Sequence, residues 1–503
     1  MITILAGNVT SSLQGATQED IFYLREHLRY ENDVHQRRLT ALRIYGDAKK
    51  IGLIEQFHPM VSPKGQFLSG LVDDVCFLLE AAKREYMLVD NRSSIELDHK
   101  YISRQLKRMK IKPREYQLDG ILDCLEYGRG IVHAATGYGK SILISSLPVL
   151  YSVKTLIIVD RELLANQLRS ELQENIGGIK IGMVGSGVFD PQEITVGMVQ
   201  SLAVSRKGAK KKKELQDFLS SIKLLIVDEA HHTQSTSFQS VIKNCVNTAA
   251  KFGFTATPLT SKILNEKYED GNKDIVLKAY LGPVIHSMGC QPLIDAGWLA
   301  KPSVYIIRNT VYNDYIRLTY NEEYDRIIMQ DEARNKVICD LIAKQLKDGK
   351  RVIGFVRRID HGEEIARKLS EEYGISPKLF AFVNGTLDSH VRNEYISKFK
   401  SKQLQCLFGT VLKEGLNFHC DVGINMAGGE AEIDAVQKLG RVLRKTYDPA
   451  IGDINPAVPE FVDYYDFADL GHEWFEKHAS KRVTTYKKEG HEIKYVEVDE
   501  LCQ

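Results

Sequence analysis

Residues Gly130–Tyr151 read GIVHAATGYGKSILISSLPVLY. GIVHAA is apolar and β-compatible, TGYGKS is a tight turn with two glycines, and SILISSLPVLY has the make-up of a buried helix. Strand, glycine turn and helix in that order open a parallel α/β sheet, and the turn ends like a phosphate-binding loop, G-x-x-x-x-G-K-[ST]. In such a loop the N–H groups of Gly137 to Ser141, at the helix N-terminus, cradle phosphate oxygens. Lys140 reaches the outer phosphates and the Ser141 hydroxyl ligates Mg²⁺. The generic loop starts with glycine; this one has Ala134 there.

The α/β rhythm extends outward from this stretch. TLIIVD, IKIGMVG, EITVGMV, LLIVDEA and KFGFTAT are short and apolar, with helical patterns such as RELLANQLRSELQENI between them. After the polar passage NEKYEDGNKD the pattern restarts with PSVYIIR, RVIGFVR, KLFAFVNG, QCLFGT and VGINMAG. Two successive parallel-sheet domains are expected, over 113–300 and 301–480. Residues 481–503 are polar and read as a C-terminal tail with a possible exposed strand. Residues 1–95 alternate short apolar runs with amphipathic ones and fit a small α+β module of β-α-β-β-α-β type. The expected fold class is therefore α/β, two tandem parallel-sheet domains behind a small α+β domain.

The stretch KLLIVDEAHH is a hydrophobic strand ending in two adjacent carboxylates. Asp228 there can hold Mg²⁺ and Glu229 can orient and deprotonate an attacking water. Two acids at one strand tip repel each other unless a cation sits between them. In QKLGRVLR, Arg441 and Arg444 are three apart, which on a helix puts both on one face, able to meet charge developing on a transferred phosphoryl group.

The net charge of +1 neither demands nor excludes a polyanionic partner, so its distribution matters more. RKGAKKKKEL (206–215) and YISRQLKRMKIKPR (101–114) are the basic blocks; residues 96–112 read as a basic connector. Eight cysteines stand singly, with no C-x-x-C pair, which fits reduced thiols in a cytoplasm. No basic leader precedes the first apolar residues, and no apolar run approaches the ~20 residues of a membrane span.

With these strings in place the chain resembles the superfamily 2 helicases of the DEAH-box type, from about residue 113 onward. REYQ (114–117) is similar to the adenine-reading element, with Arg114 and Gln117 at the base. AATGYGKS fits the family's own A-x-x-G-x-G-K-[ST], so Ala134 belongs; Thr136, Gly137, Tyr138, Gly139, Lys140 and Ser141 are its nucleotide residues. VDRELLANQ and VGMVQS resemble strand-contacting motifs, DEAH the hydrolytic motif, FTATP the coupling motif, and RVIGFVRR, GTVLKEGLNF and QKLGRVLR the second domain's series. The resemblance implies two RecA-like domains that close on ATP, with Gln437 at the nucleotide and Arg441 and Arg444 as arginine fingers. It makes His231 the link from the γ-phosphate site to Thr255 and Thr257, and leaves His232 structural.

The same resemblance implies DNA as partner, with Arg161, Gln200, Ser201, Thr410 and Lys413 as contacts. LGPVIHSMGCQPLIDAGWLAKP (281–302) is similar to a stretch of the XPB/UvsW and restriction-motor branch. The module around LRIYGDAKKIGLI resembles a small duplex-recognising domain, but lacks that domain's W-D-G after YG. The reading is an ATP- and Mg²⁺-dependent DNA helicase or translocase for forks and Holliday junctions, in a bacterial or phage-infected cytoplasm, with the oligomeric state open. The alternatives are a duplex translocase that separates no strands, and an ATPase remodelling partners other than nucleic acid.

Overall fold

The computed structural model describes residues 1–31, 57–108, 112–203, 209–256, 274–310, 319–412, 419–429, 432–445, 447–448, 453–454 and 460–498. The chain divides into two units, Met1–Ala134 with Gly139–Ser287, and Ala135–Tyr138 with Met288–Gln503. The first unit thus takes in the N-terminal module and ends thirteen residues before the boundary that strand spacing suggested at 300.

The module is built on β1 (Ile2–Ala6), β2 (Thr10–Gln14), β5 (Gln66–Leu68) and β6 (Tyr86–Asp90), in the order β5-β2-β1-β6, with β3 (Arg29–Glu31) and β4 (Phe57–Pro59) as a separate pair. Alternation in β1 turns Ile2, Ile4 and Ala6 inward. Helices Gln18–His27 and Val72–Ala81 bring Leu24, Val75 and Leu79 into the same core. Thr17 starts the first helix through a capping box with Asp20. Residues 32–56, with the stretch LTALRIYG, lie outside the described residues.

This module shares one core with the large sheet of the first unit. Its Asp74 meets Lys278 of helix Asp274–Leu281 at 2.5 Å, both side chains being about 5% exposed. Gly70 allows the approach, since a Cβ there would stand 2.0 Å from the Lys278 carbonyl oxygen. The large sheet runs β10-β9-β11-β8-β12-β13-β7-β14. Its strands are β7 (Arg129–Ala134), β8 (Thr155–Val159), β9 (Ile181–Gly185), β10 (Val188–Asp190), β11 (Ile194–Met198), β12 (Leu224–Val227), β13 (Ala250–Thr255) and β14 (Val284–Met288). From β9 to β7 all neighbours are parallel. β8, β9, β12 and β13 are buried at every position, which is why they read as continuous apolar runs.

The second unit holds a seven-stranded parallel sheet, β17-β18-β16-β19-β22-β15-β23. Its strands are β15 (Lys301–Thr310), β16 (Val352–Phe355), β17 (Phe380–Val383), β18 (Cys406–Gly409), β19 (Val422–Asn425), β22 (Phe461–Leu470) and β23 (Ile493–Glu497); β20 (Tyr447–Asp448) and β21 (Asp453–Ile454) pair apart from it. The end of the chain differs from the polar tail expected after 480. Helix Glu473–Lys488 buries Phe475, Ala479, Arg482 and Tyr486, and β23 joins the sheet beside β15. The exposed strand read there is β23, at the sheet edge, while polar composition hid the helix, because a helix with one buried face needs few apolar residues.

Candidate nucleotide and nucleic-acid site

Parallel strands deliver their C-terminal loops to one edge of a sheet, and the first unit loads that edge heavily. The start of helix Lys140–Tyr151, Asp228 after β12, Thr255 at the end of β13, Asp160 after β8 and Gln200 after β11 all emerge there. Gly137 and Gly139 hold φ of 91° and 87°, a region that side-chain-bearing residues rarely adopt. Helix Lys140–Tyr151 begins with no side-chain cap and no acid in its first turn, which leaves its N-terminal donors to an anion. Gln117 packs on the turn: a Cβ at Gly139 would stand 2.4 Å from its Nε2, while its Oε1 accepts the Arg114 N–H at 2.9 Å. Arg114 itself donates to the Tyr116 hydroxyl at 2.8 Å. Thr136 and Tyr138 are buried.

Glu229 takes φ 48°, so the chain reverses sharply between β12 and the 3₁₀ turn Ala230–Gln234 and presents two successive carboxylates. Its Oε1 lies 3.4 Å from Lys140 Nζ and its Oε2 3.5 Å from His231 Nδ1. Burial first, and then the neighbouring Glu229 carboxylate, raise the Asp228 carboxyl above its ordinary range against the pull of Lys140. Burial pushes the His231 imidazole down to about 4, so it is neutral at pH 7. Its Nδ1 also comes within 3.5 Å of Thr255 Oγ1, the relation expected of the coupling histidine; Thr257 lies outside the described residues.

The chain of contacts continues where the sequence suggested nothing. His231 and His232 have ring centroids 4.2 Å apart, and His232 Nε2 is 3.6 Å from Asp160 Oδ2. Arg161 Nε lies 3.3 Å from the same carboxylate, and Gln200 donates to the Asp160 carbonyl at 2.7 Å. Arg161 and Gln200, candidates from separate motifs, thus meet on Asp160, with Ser201 next in the turn Val199–Leu202. A second histidine beside an acid box was the available signal for His232.

In the second unit, helix Glu432–Val442 carries Gln437 and Arg441, both buried. Arg444 does not share that helix. The helix ends at Val442, and Arg444 forms a β-bridge with Leu299 while Ala300 N donates to Leu443 O at 2.8 Å. The single helical face expected for the two arginines is therefore replaced by a helix and the extended residue beyond it. Thr410 comes directly after β18 and donates its N–H to Val383 O at 3.1 Å; Lys413 lies outside the described residues.

The arginine-bearing helix is held by a buried network. Lys438 Nζ contacts Asn425 Oδ1 at 2.9 Å and Asp434 at 2.7 Å, and Asn425 donates to Asp466 at 2.9 Å. Asp466 also accepts from Arg482 and from the Tyr486 hydroxyl at 2.9 Å each. Arg482 further donates to the carbonyls of Gly429 and Phe467. Sequence reading missed all of these, since Asp466 sits inside an apolar strand and Arg482 in the expected tail.

Residues 110–260 match the family model described as type III restriction enzyme, res subunit, and residues 333–446 match the helicase conserved C-terminal domain. The chain carries both of these domains. The two matched segments fall on the parallel sheets, and the β7 loop, the acid pair and the arginine helix lie within them. A protein named as helicase 22 of Sulfolobus islandicus filamentous virus (isolate Iceland/Hveragerdi) is 27% identical over 70% of this chain and 64% of its own. The DNA 3'-5' translocase XPB2 of Sulfurisphaera tokodaii is 24% identical over 67% and 79% of the two chains, and the ATP-dependent DNA helicase uvsW of phage T4 is 24% identical over 67% and 66%. The chain therefore spans about two thirds of the viral and phage relatives' lengths. Among solved structures, the fragment named for the HsdR subunit of a type I restriction enzyme from Vibrio vulnificus YJ016 superposes with a TM-score of 0.55 at 19% identity, covering 80% of this chain and 72% of that one. That likeness bears on the fold, which is the expected pair of RecA-like sheets.

Among the described residues no helix is long and apolar enough to cross a membrane. The seven cysteines among them are all free, six of them buried.

Proposed function

We propose that this protein is an ATP- and Mg²⁺-dependent DNA helicase or translocase acting on branched DNA, forks and Holliday junctions among them, in the cytoplasm. One observation carries the reading. A single sheet edge holds the phosphate loop, the acid pair and the Asp160–Arg161–Gln200 cluster, joined by His231 and His232. Such a row connects a hydrolytic site to a strand-contacting one. The relatives' names, a DNA translocase and a DNA helicase, support DNA as the substrate.

The donor set suits a hard divalent cation. Among the described residues no three His, Cys, Asp or Glu side chains cluster as a metal cage, and Mg²⁺ at nucleotide sites takes only one or two protein oxygens besides phosphates. Ser141 and Asp228 would hold it, and its charge would ease the crowding of the two neighbouring carboxylates. Bound there, Mg²⁺ supplies charge neutralisation at the phosphates.

Lys140 leaves Glu229 for the γ-phosphate when nucleotide enters, which frees that carboxylate to orient and deprotonate water. Gln117 and Arg114 read the base, with Gln437 completing the nucleotide contacts. Arg441 and Arg444 offset charge in the transition state. Arg161, Gln200, Ser201, Thr410 and Lys413 grip the DNA backbone, which binds chiefly through phosphates. ATP-dependent strand displacement on a panel of fork, junction, duplex and RNA substrates tests this reading. A DNA-independent ATPase that moves no strand would sink it, and displacement of only a third, triplex-forming strand would narrow it to a duplex translocase.

A further inference from the structure

Helix His99–Arg108 precedes the first helicase motif and belongs to none of the motifs. Its sequence, HKYISRQLKR, holds four permanent cations and no acid. At 3.6 residues per turn Lys100, Arg104, Lys107 and Arg108 fall within an arc of about 100°, centred opposite Ile102. The structure agrees: Ile102 is buried and the four cations are exposed. Among the described residues none of the four has a carboxylate within ion-pair distance. Asp98, the nearest acid in sequence, accepts the backbone N–H groups of Lys100 and Tyr101 at 2.9 and 3.1 Å and so caps the helix instead. A surface helix is ordinarily eased by opposite charges at i,i+4; here Lys100/Arg104 and Arg104/Arg108 are like pairs that cost stability.

We propose that this stripe docks the phosphate backbone of a DNA duplex arm, outside the strand contacts of the helicase motifs. The inference rests on the reading of the protein as a DNA motor. Charge selects a polyanion, and the absence of an exposed ring on the stripe selects duplex over single strand. Single-strand grooves stack bases on aromatic side chains, whereas Tyr101 is half-buried with its hydroxyl donating to Val149 O at 3.2 Å, and the His99 ring at the start of the helix falls outside the arc of the four cations. That same bond seats the stripe on helix Lys140–Tyr151, whose other end is the phosphate loop. A duplex arm held here would be fixed to the helix that senses nucleotide.

The test is binding of a labelled blunt duplex, a fork and a single strand over a salt series without ATP. The variants are the quadruple K100Q/R104Q/K107Q/R108Q and a control with the same charge change on exposed lysines of the C-terminal helix, K477Q/K481Q/K487Q/K488Q. Glutamine keeps helix propensity, and circular dichroism verifies folding. Each lost phosphate contact lowers the slope of log K against log salt by about 0.9. The first variant is expected to lose two or more slope units and at least tenfold in duplex and fork affinity near 0.1 M salt, and the control under threefold. Equal losses in both variants, an unchanged slope, or a loss confined to the single strand would overturn the proposal. Failure of the unaltered protein to bind any DNA would instead remove the motor reading.

Discussion

The Lys140 ammonium stands 3.4 Å from Glu229 Oε1, with the two side chains 15% and 19% exposed. The lysine proposed to bind phosphate is thus paired with the acid proposed to activate water, and a competing anion such as phosphate would separate them. Lys140→Ala is expected to lower ATP turnover at least a hundredfold with folding intact, because the contact to the phosphate disappears. Glu229→Gln is expected to cut kcat by about 10²–10⁴ while leaving nucleotide binding within severalfold. Fluorescent-nucleotide titration beside steady-state hydrolysis checks both; equal losses of binding and turnover in Glu229→Gln would refute its role as base.

His232 joins the acid pair to the Arg161 and Gln200 cluster, proposed above to contact DNA, through Asp160, 3.6 Å away. His232→Ala is therefore expected to leave DNA-free hydrolysis within about threefold and to lose most of its stimulation by DNA. Hydrolysis measured with and without a saturating fork decides; undiminished stimulation would return His232 to a packing role.

Arg482 and Asp466, 3% and 1% exposed, form a buried pair in the second unit. Arg482→Met strands the Asp466 carboxylate away from water and is expected to cost about 3–5 kcal/mol in the unfolding of that unit. Urea unfolding followed by circular dichroism measures it. A loss below about 1 kcal/mol would mean that the network carries little of the unit's stability.

Lys251 on β13 is enclosed, donating to Tyr280 O at 3.2 Å, and burial foremost, then Arg129, lowers its ammonium to about 8. An unfolded lysine titrates near 10.4, so between about 8 and 10.4 the unfolded chain binds more protons and stability rises with pH. Below 8 the penalty of the buried charge is present in full. Lys251→Met is expected to gain on the order of 2 kcal/mol at pH 7, about 3 from the removed charge less about 1 for the orphaned carbonyl. That gain should shrink as pH climbs from 8 to 10. Melting temperatures of both proteins across that range give the comparison; a constant difference would contradict it.

Periodicity made the two sheets legible, because parallel strands covered on both faces leave continuous apolar runs such as LLIV at β12. The candidate nucleotide residues stood out for a different reason, since phosphate chemistry asks for glycines, lysine and hydroxyl at set spacings. The hidden features are those that depend on tertiary contact. Arg444 looked helical because spacing cannot show that pairing with Leu299 ends the helix at Val442. Lys278–Asp74 and Lys438–Asn425–Asp466–Arg482 join residues far apart in sequence, and a buried charge is indistinguishable from a solvated one until its partner is placed.

The central claim is that hydrolysis at Lys140 and Glu229 drives movement along DNA, and strand displacement on a labelled Holliday junction tests it most directly. The unaltered protein is expected to convert the junction to two duplexes in an ATP- and Mg²⁺-dependent manner, and Lys140→Ala to convert none at equal DNA occupancy. Conversion by Lys140→Ala, or failure of the unaltered protein to move any strand of junction or fork while hydrolysing ATP, would contradict it.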